Sequence, residues 1–567
     1  MKKPWELKYF RWADVIILLI IVVALFIGVQ LAYHAPKSFA KETISLNIKY
    51  IPYYAGKSLL RMGAAYFLSM IFSLIYGYAA ARNKTAEKVL LPIIDVLQSV
   101  PILSFLPVVV LSLAVILPQS VAAELASIVL IFTSQVWNLT FSWYQSLTTI
   151  PTELNEACNV FHLSPWMKFK KLELPFGFVS LIWNSIMSWA GGWFFLMAAE
   201  IFTVGQKQFQ LIGLGSYLQA AANTGNLHAM FAGIFTLVLI IILLDQFVWR
   251  PFLTWAKKFN LQTVSGPEAA ANSWFYWVLR KSNIIDRFNK RFFFPIIEKF
   301  DERFVKTFPF RPEQTVAKKS SSVKIYIGVA ILGIALIYGL HHTIVYLFHL
   351  SWADWWLIAK SAFFSLLRVF AALALSMLWT IPVGVAIGSN QRLATFMQPL
   401  VQITASIPAT ALFPILILFL LHLPFGLNIA AIVLMMLGSQ WYLLFNIIAG
   451  VNTIPQDLRY TASLMQLKKW SYWKNLILPA LFPFLITGAI TASGGAWNAS
   501  IVAEYVSFNN RNYFTTGLGS LIAQSTAEGN YTMLLASTLT MVVIVTVINR
   551  LLWRRLYNVA KEKFTMQ

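Results

Sequence analysis

From Val15 to Leu31 the chain carries no charged residue, and stretches of similar length and character recur along it. About 20 apolar residues is the length at which a helix crosses the hydrocarbon core of a bilayer. No water reaches backbone N–H and C=O groups there, so a spanning segment must be a helix or a strand of a closed barrel. Barrel strands alternate in polarity and cross in about ten residues. These runs are longer and apolar throughout. The sequence therefore predicts an all-α integral membrane protein with about six spans in each half. They fall near 15–33, 59–81, 90–117, 121–144, 176–199 and 229–249, then near 323–348, 362–387, 397–421, 427–450, 480–503 and 533–552. The first run follows Lys2, Lys3, Lys8 and Arg11 and shows no small-residue cleavage site, so it reads as a retained span and not as a signal peptide.

Charged residues make up only 12% of the chain, against about 25% in soluble domains. The net charge of +22 does not indicate nucleic acid, because the Lys and Arg residues sit in alternate loops. Arg82, Lys84 and Lys88 occupy one such loop, Lys168, Lys170 and Lys171 another, and Arg554, Arg555, Lys561 and Lys563 the C-terminal stretch. Residues 250–322 hold fourteen Lys and Arg against six Asp and Glu. Positive loops mark the cytoplasmic side, which places both termini there; Lys37, Lys41, Lys49 and Lys57 in the first outer loop run against the pattern. A single cysteine, Cys158, excludes an intrachain disulfide.

The two halves are copies. Ser58-Leu-Leu-Arg61 returns as Ser365-Leu-Leu-Arg368 at an offset of 307, which persists through Pro101/Pro408. The offset becomes 304 at Pro151/Pro455 and holds through Trp166/Trp470, Trp193/Trp497, Glu200/Glu504 and the Gly-Leu-Gly pair at Gly213 and Gly517. An even number of spans per copy gives both the same orientation, so these are parallel repeats about an axis along the membrane normal. The division is 1–250 for the first half, 251–322 for a cytoplasmic linker and 323–567 for the second half. Residues 273–304 alternate bulky apolar with basic side chains, which suits helices lying on the inner membrane surface; a plain solvated linker is the alternative.

Between the fourth and fifth spans of each copy lies a polar loop, 151–171 and 455–475. In the first, Glu153 follows Thr152, read as an N-cap. Leu154, Ala157, Cys158, Phe161 and Leu163 form an apolar stripe at helical spacing. Ser164-Pro165 then breaks the helix. Glu156-Ala157-Cys158 precedes Leu172-Glu173-Leu174-Pro175, as Tyr460-Thr461-Ala462 precedes Leu476-Ile477-Leu478-Pro479. Here the chain resembles the permeases of binding-protein-dependent ABC importers, whose cytoplasmic loop carries Glu-Ala-Ala, a Gly four residues on, and a closing Ile-x-Leu-Pro. The resemblance implies a type I importer permease fold, and a short coupling helix that docks on a partner ATPase. It assigns that role to Glu153, Leu154, Glu156, Ala157, Cys158, Phe161, His162 and Leu163. In the second copy it assigns it to Asp457, Leu458, Tyr460, Thr461, Ala462, Gln466 and Leu467. His162 and Gln466 stand at the family's Gly position, which counts against a tight glycine turn, and Tyr460 replaces Glu156, so the two sites need not be equivalent.

The segments 97–107, 193–218 and their second copies resemble nitrate/sulfonate/taurine-type permeases, in which one half-chain usually acts as a homodimer; here the pair is fused. The resemblance implies import of a small anion of the nitrate, bicarbonate, sulfonate or taurine class by alternating access, in the inner membrane of a bacterium. No Gly-x-x-x-x-Gly-Lys-[Ser/Thr] occurs. The chain is thus read as no enzyme and as carrying no cofactor, with ATP and Mg held by two separate ATPase subunits and solute delivered by an extracytoplasmic binding protein. A secondary transporter of six-plus-six parallel repeats is the rival reading.

Polar groups inside the membrane are expensive and invite a functional reading. Glu200 and Glu504 end the fifth span of each copy and serve either as pathway groups or as helix-end carboxylates held by polar neighbours. Arg61 and Arg368 either guide an anion or reach to the outer headgroups. Pro101 and Pro408 free carbonyls in the third spans, permitting broken helices or kinks. Trp193 and Trp497 gate a pathway or pack. His341, His342 and His349 lack companions at ligand spacing, so no metal site is expected.

Overall fold

The computed structural model describes residues 12–33, 44–204, 207–256, 258, 273–282, 287, 290–291, 294–307, 309, 322–420, 422–467, 469–508 and 511–563. Lys2, Lys3, Lys8, Arg11, Lys37, Lys41, Lys318 and Lys319 lie outside those residues.

The first half contains α1 (Trp12–Tyr33), α2 (Ile51–Arg82), α3 (Lys84–Ser99), α4 (Ile102–Ile116), α5 (Gln119–Thr148), α6 (Thr152–Val160), α7 (Pro165–Lys168) and α8 (Leu174–Glu200). A hairpin, β1 (Ile201–Val204) and β2 (Lys207–Gln210), leads to α9 (Leu214–Asn223), α10 (Leu227–Leu244) and α11 (Arg250–Ala256). The linker contributes α12 (Trp274–Lys281) and α13 (Phe294–Thr307). The second half then repeats the order: α14 (Ser322–Leu347), α15 (Trp352–Ser389), α16 (Gln391–Ser406), α17 (Ala409–Leu420), α18 (Gly426–Asn452), α19 (Gln456–Leu464), α20 (Lys469–Tyr472) and α21 (Leu478–Ala503). After β3 (Tyr505–Phe508) and β4 (Arg511–Phe514) come α22 (Leu518–Glu528), α23 (Tyr531–Ile548) and α24 (Arg554–Lys563). The two antiparallel hairpins are the only strands among the described residues, and they occupy equivalent places, Ile201 opposite Gln210 and Tyr505 opposite Phe514.

Among the described residues seven helices are long and apolar enough to cross a membrane, and an eighth results if the bent pair Arg392–Ser406 and Ala409–Leu420 is one span. The third span of each copy is not the single helix expected at 90–117 or 397–421. Asn83 starts α3 by accepting from the Thr85 and Ala86 amides, and Asn390 starts α16 by accepting from those of Arg392 and Leu393. Pro101 and Pro408 then end these helices, because the residue before proline is driven out of the α region. The second pair bends by 81° at this break.

Within each half one helix is sandwiched. α5 packs between α2 and α8, and α18 between α15 and α21. Trp143 of α5 is fully buried, and a Cβ on Gly77 or Gly177 would come within 2.7 or 2.6 Å of its ring. Close approach through small residues is how helices associate where lipid removes the hydrophobic drive. The halves are themselves joined: Asn498 of α21 accepts at 2.6 Å from the Ile102 amide at the start of α4, and Arg550 pairs with Asp95 at 2.9 Å.

Candidate functional site

The repeated Ser-Leu-Leu-Arg, the helix-end glutamate and Gly-Leu-Gly are brought together in each half as one cluster. In the first, Glu200 is fully buried and its carboxylate accepts from Ser58 Oγ at 2.6 Å, Arg61 Nη1 at 2.8 Å and the Gly215 amide at 2.7 Å. Arg61 Nη1 also donates to the Ile212 carbonyl at 2.8 Å. The second copy repeats this with Glu504, Ser365, Arg368, the Gly519 amide and the Thr516 carbonyl. The carboxylate sits against the N-terminus of α9 or α22, where free amides and the helix dipole favour negative charge. Gly213 and Gly517 are required, because a Cβ at either position would overlap the carboxyl group.

One difference separates the copies. The remaining face of Arg61 is held by Glu124, Nε to Oε2 at 2.5 Å and Nη2 to Oε1 at 2.7 Å. Arg368 uses the same two nitrogens on the neutral Oδ1 of Asn428, at 3.1 and 2.7 Å. Both arginines are buried and turned inward to carboxylates, so they do not reach to the headgroups. Ser58 and Ser365, evident in the sequence only as part of the repeat, and Glu124, which carries no sequence signal, join the site through these contacts.

The polar loops form the expected short helices, α6 and α19. Pro151, not Thr152, is the N-cap, and it makes no side-chain cap; Thr152 is already helical, and the proline before it contributes no amide and no side-chain acceptor. Cys158 is buried and Leu154 and Ala157 are less so, while Phe161 leaves the stripe and stands 75% exposed beside Val160. Leu464 and Met465 are the exposed pair in the second copy. The tight turn forms without glycine: His162 and Gln466 adopt φ of 50° and 52°. In both copies a backbone amide beyond the helix closes it, Leu163 N to Cys158 O and Leu467 N to Ala462 O, each at 3.0 Å. This pattern satisfies the end carbonyls and offsets the cost of a left-handed residue with a Cβ, about 1–2 kcal/mol. Glu153, Glu156, Asp457, Tyr460 and Thr461 lie on exposed surface.

A cavity of about 70 Å³ lies where the halves meet. It is lined by Gly191, Phe194 and Phe195 of α8, the Ile407–Ala409 break, Tyr442 of α18 and Asn498 of α21. Of the residues singled out from sequence as pathway groups, Pro408 lines it and Trp193 lines a smaller neighbour with Gln402 and Asp245. Trp497 and Pro101 are buried in packing, and the two arginine–glutamate pairs line neither cavity.

Twin parallel halves, a cavity on their seam and an exposed helix-and-turn in each copy give the architecture of a membrane permease. The chain belongs to the family of binding-protein-dependent transport system inner membrane components, whose profile matches twice, at residues 69–248 and 380–556. That description agrees with the permease expectation and not with the secondary-transporter rival. The chain is 34% identical over 143 residues to the bicarbonate transport system permease protein CmpB of Synechococcus elongatus, covering 25% of this chain and 50% of that protein. It is 30% identical over 140 residues to the nitrate import permease protein NrtB of the same organism, covering 25% and 49%. Against the taurine transport system permease protein TauC of Escherichia coli it is 28% identical over 166 residues, covering 29% and 56%. The chain thus spans about half the length of the curated relatives it matches.

Proposed function

We propose that this chain is the permease of an ATP-driven importer in a bacterial inner membrane, one polypeptide supplying both halves of the pathway. The observation that carries this reading is the duplicated handle. Two short helices in equivalent places end in the same left-handed turn and expose an apolar pair, Val160-Phe161 and Leu464-Met465. Exposed apolar residues on a helix outside the bilayer need a partner, and a separate ATPase subunit, holding ATP and Mg, is that partner on each loop. A solute-binding protein delivers substrate to the opposite face. Closure of the ATPase pair moves α6 and α19 and rotates the halves about the seam where the central cavity lies. Both termini, the linker and the loops then lie in the cytoplasm.

The cargo is a small oxyanion or sulfonate, the chemistry shared by the bicarbonate, nitrate and taurine that the three relatives are named for. The test is co-purification and transport. Phe161→Glu and Met465→Glu, each alone, are expected to halve the ATPase subunits retained by a tagged chain, and together to abolish retention. Vesicles holding the intact complex are expected to take up one of labelled bicarbonate, nitrate or taurine on ATP addition. Unchanged retention in the double variant removes the docking assignment; uptake of none of the three removes the cargo class.

A further inference from the structure

Among the described residues the linker braces the first handle, whereas the equivalent face of the second stands exposed. Linker helix α13 packs on α7, the turn of helix that follows α6. The Trp166 ring stacks on Phe304 with centroids 4.6 Å apart and planes 24° apart. Its Nε1 donates to Asp301 Oδ1 at 2.8 Å, and Lys170 Nζ donates to the other carboxylate oxygen. Burial raises the Asp301 pKa, but the hydrogen bonds from Lys170 and Trp166 and the charges of Lys170 and Lys171 bring it below its ordinary value. The aromatic contacts continue inward, Trp166 on Phe169 at 5.8 Å and Phe169 edge-on to buried Trp143 at 6.0 Å. A packed chain therefore runs from the linker, through the exit of the coupling loop, into the α2–α5–α8 core. Ser164 joins α6 to it by capping α7, accepting from the Met167 amide at 3.3 Å.

The second copy carries the same receptor residues, Trp470 and Lys474, yet Trp470 is 69% exposed and Lys474 is exposed as well. Ile447 stands where Trp143 stands in the first half, so the innermost ring of the first half's aromatic chain has no counterpart there.

We propose that Asp301 and Phe304 of the linker are positioning residues for the first coupling helix, making its ATPase contact stiffer than the second. The proposal rests on the reading of α6 and α19 as docking elements. A load applied to α6 is shared with α13 through Trp166, whereas a load on α19 is taken by its own loop. Sequence repetition hides this, since the brace comes from the one segment that is not duplicated.

The test is a mutant cycle on the full complex in detergent, reading ATPase subunits retained per tagged chain. Met465→Glu leaves only the first handle, and Phe161→Glu leaves only the second. In the Met465→Glu background, Asp301→Asn with Phe304→Ala is expected to lower retention about fivefold, the size set by losing a partly exposed ion pair and an aromatic stack together. In the Phe161→Glu background the same pair is expected to change nothing. The charge swap Lys170→Asp with Asp301→Lys is expected to restore most of the retention that Asp301→Lys alone removes. Equal losses in both backgrounds, or no loss in the first, overturn the brace; failure of Phe161→Glu and Met465→Glu to affect retention overturns the docking reading beneath it.

Discussion

The two buried arginine–glutamate clusters are near copies, and their one difference gives a quantitative test. Glu504→Gln leaves the Arg368 guanidinium, with its side chain 7% exposed, facing only neutral acceptors, Asn428 Oδ1 and the Thr516 carbonyl. Removing one partner of a buried pair costs about 3–5 kcal/mol because the other charge is stranded. Glu200→Gln leaves Arg61 still forked onto Glu124 by two hydrogen bonds. Its cost falls to that of lost charge-assisted hydrogen bonds, about 1.5–3 kcal/mol. The Glu124 side chain is 40% exposed, so its compensation is partly screened and weakens as salt rises. The expected order is Glu504→Gln worse than Glu200→Gln by about 2 kcal/mol at low salt. Glu124→Asn in the Glu200→Gln background is expected to close that gap, since it recreates the second cluster in the first half. Reversible unfolding in mixed micelles, with all variants in one detergent, reads the differences. If Glu200→Gln costs as much as Glu504→Gln, or if Glu124→Asn adds nothing to it, the assignment of Glu124 as the compensating charge is refuted.

Gly213→Ala is expected to be among the most destabilising single-methyl changes in the chain, because its Cβ would overlap the Glu200 carboxyl. Gly63→Ala meets nothing within 4 Å and is expected to be neutral or to gain up to about 1 kcal/mol; folded yield in detergent compares the two. His162→Gly and Gln466→Gly remove the Cβ from a left-handed position and are expected to stabilise by about 1 kcal/mol or less with ATPase retention intact; a loss of retention would show that the side chains, not the turn, are what the partner reads. Asp301 has a depressed pKa, so its contribution is present above the ordinary aspartate value of about 3.9 and is lost as pH falls through the lower folded-state value. The Trp166 fluorescence difference between the native chain and Trp166→Phe is therefore expected to be flat from about pH 8 to about pH 5; a transition within that range would contradict the contact.

Much of this protein is local information. Apolar run length specifies membrane-spanning helices, and the recurrence of Arg61 as Arg368 and of Glu200 as Glu504 reveals the parallel halves. Proline at 101 and 408 marks the broken third spans, and the stretch from Thr152 to Ser164 forms its helix and stop almost as its composition dictates. The turn at His162 shows where composition misleads. Glycine is the cheapest residue for a left-handed φ, but backbone hydrogen bonds around the turn make the conformation accessible to histidine and glutamine.

What only the tertiary structure decided concerns partners distant in sequence. Glu200 reads as either a pathway group or a held carboxylate until Ser58, Arg61 and the start of α9 are seen closing around it. Phe161 belongs to the apolar stripe by spacing, yet it is exposed, because the helix stops at Val160 and Phe161 is its C-cap, directly before the left-handed turn at His162. The contact between Asp301 and Trp166 joins residues 135 positions apart in the chain. The physical reason is common to all three. Periodicity and propensity act over a few residues along the chain, whereas a charge or an aromatic ring is stabilised by whatever the packing of whole helices brings within a few ångströms.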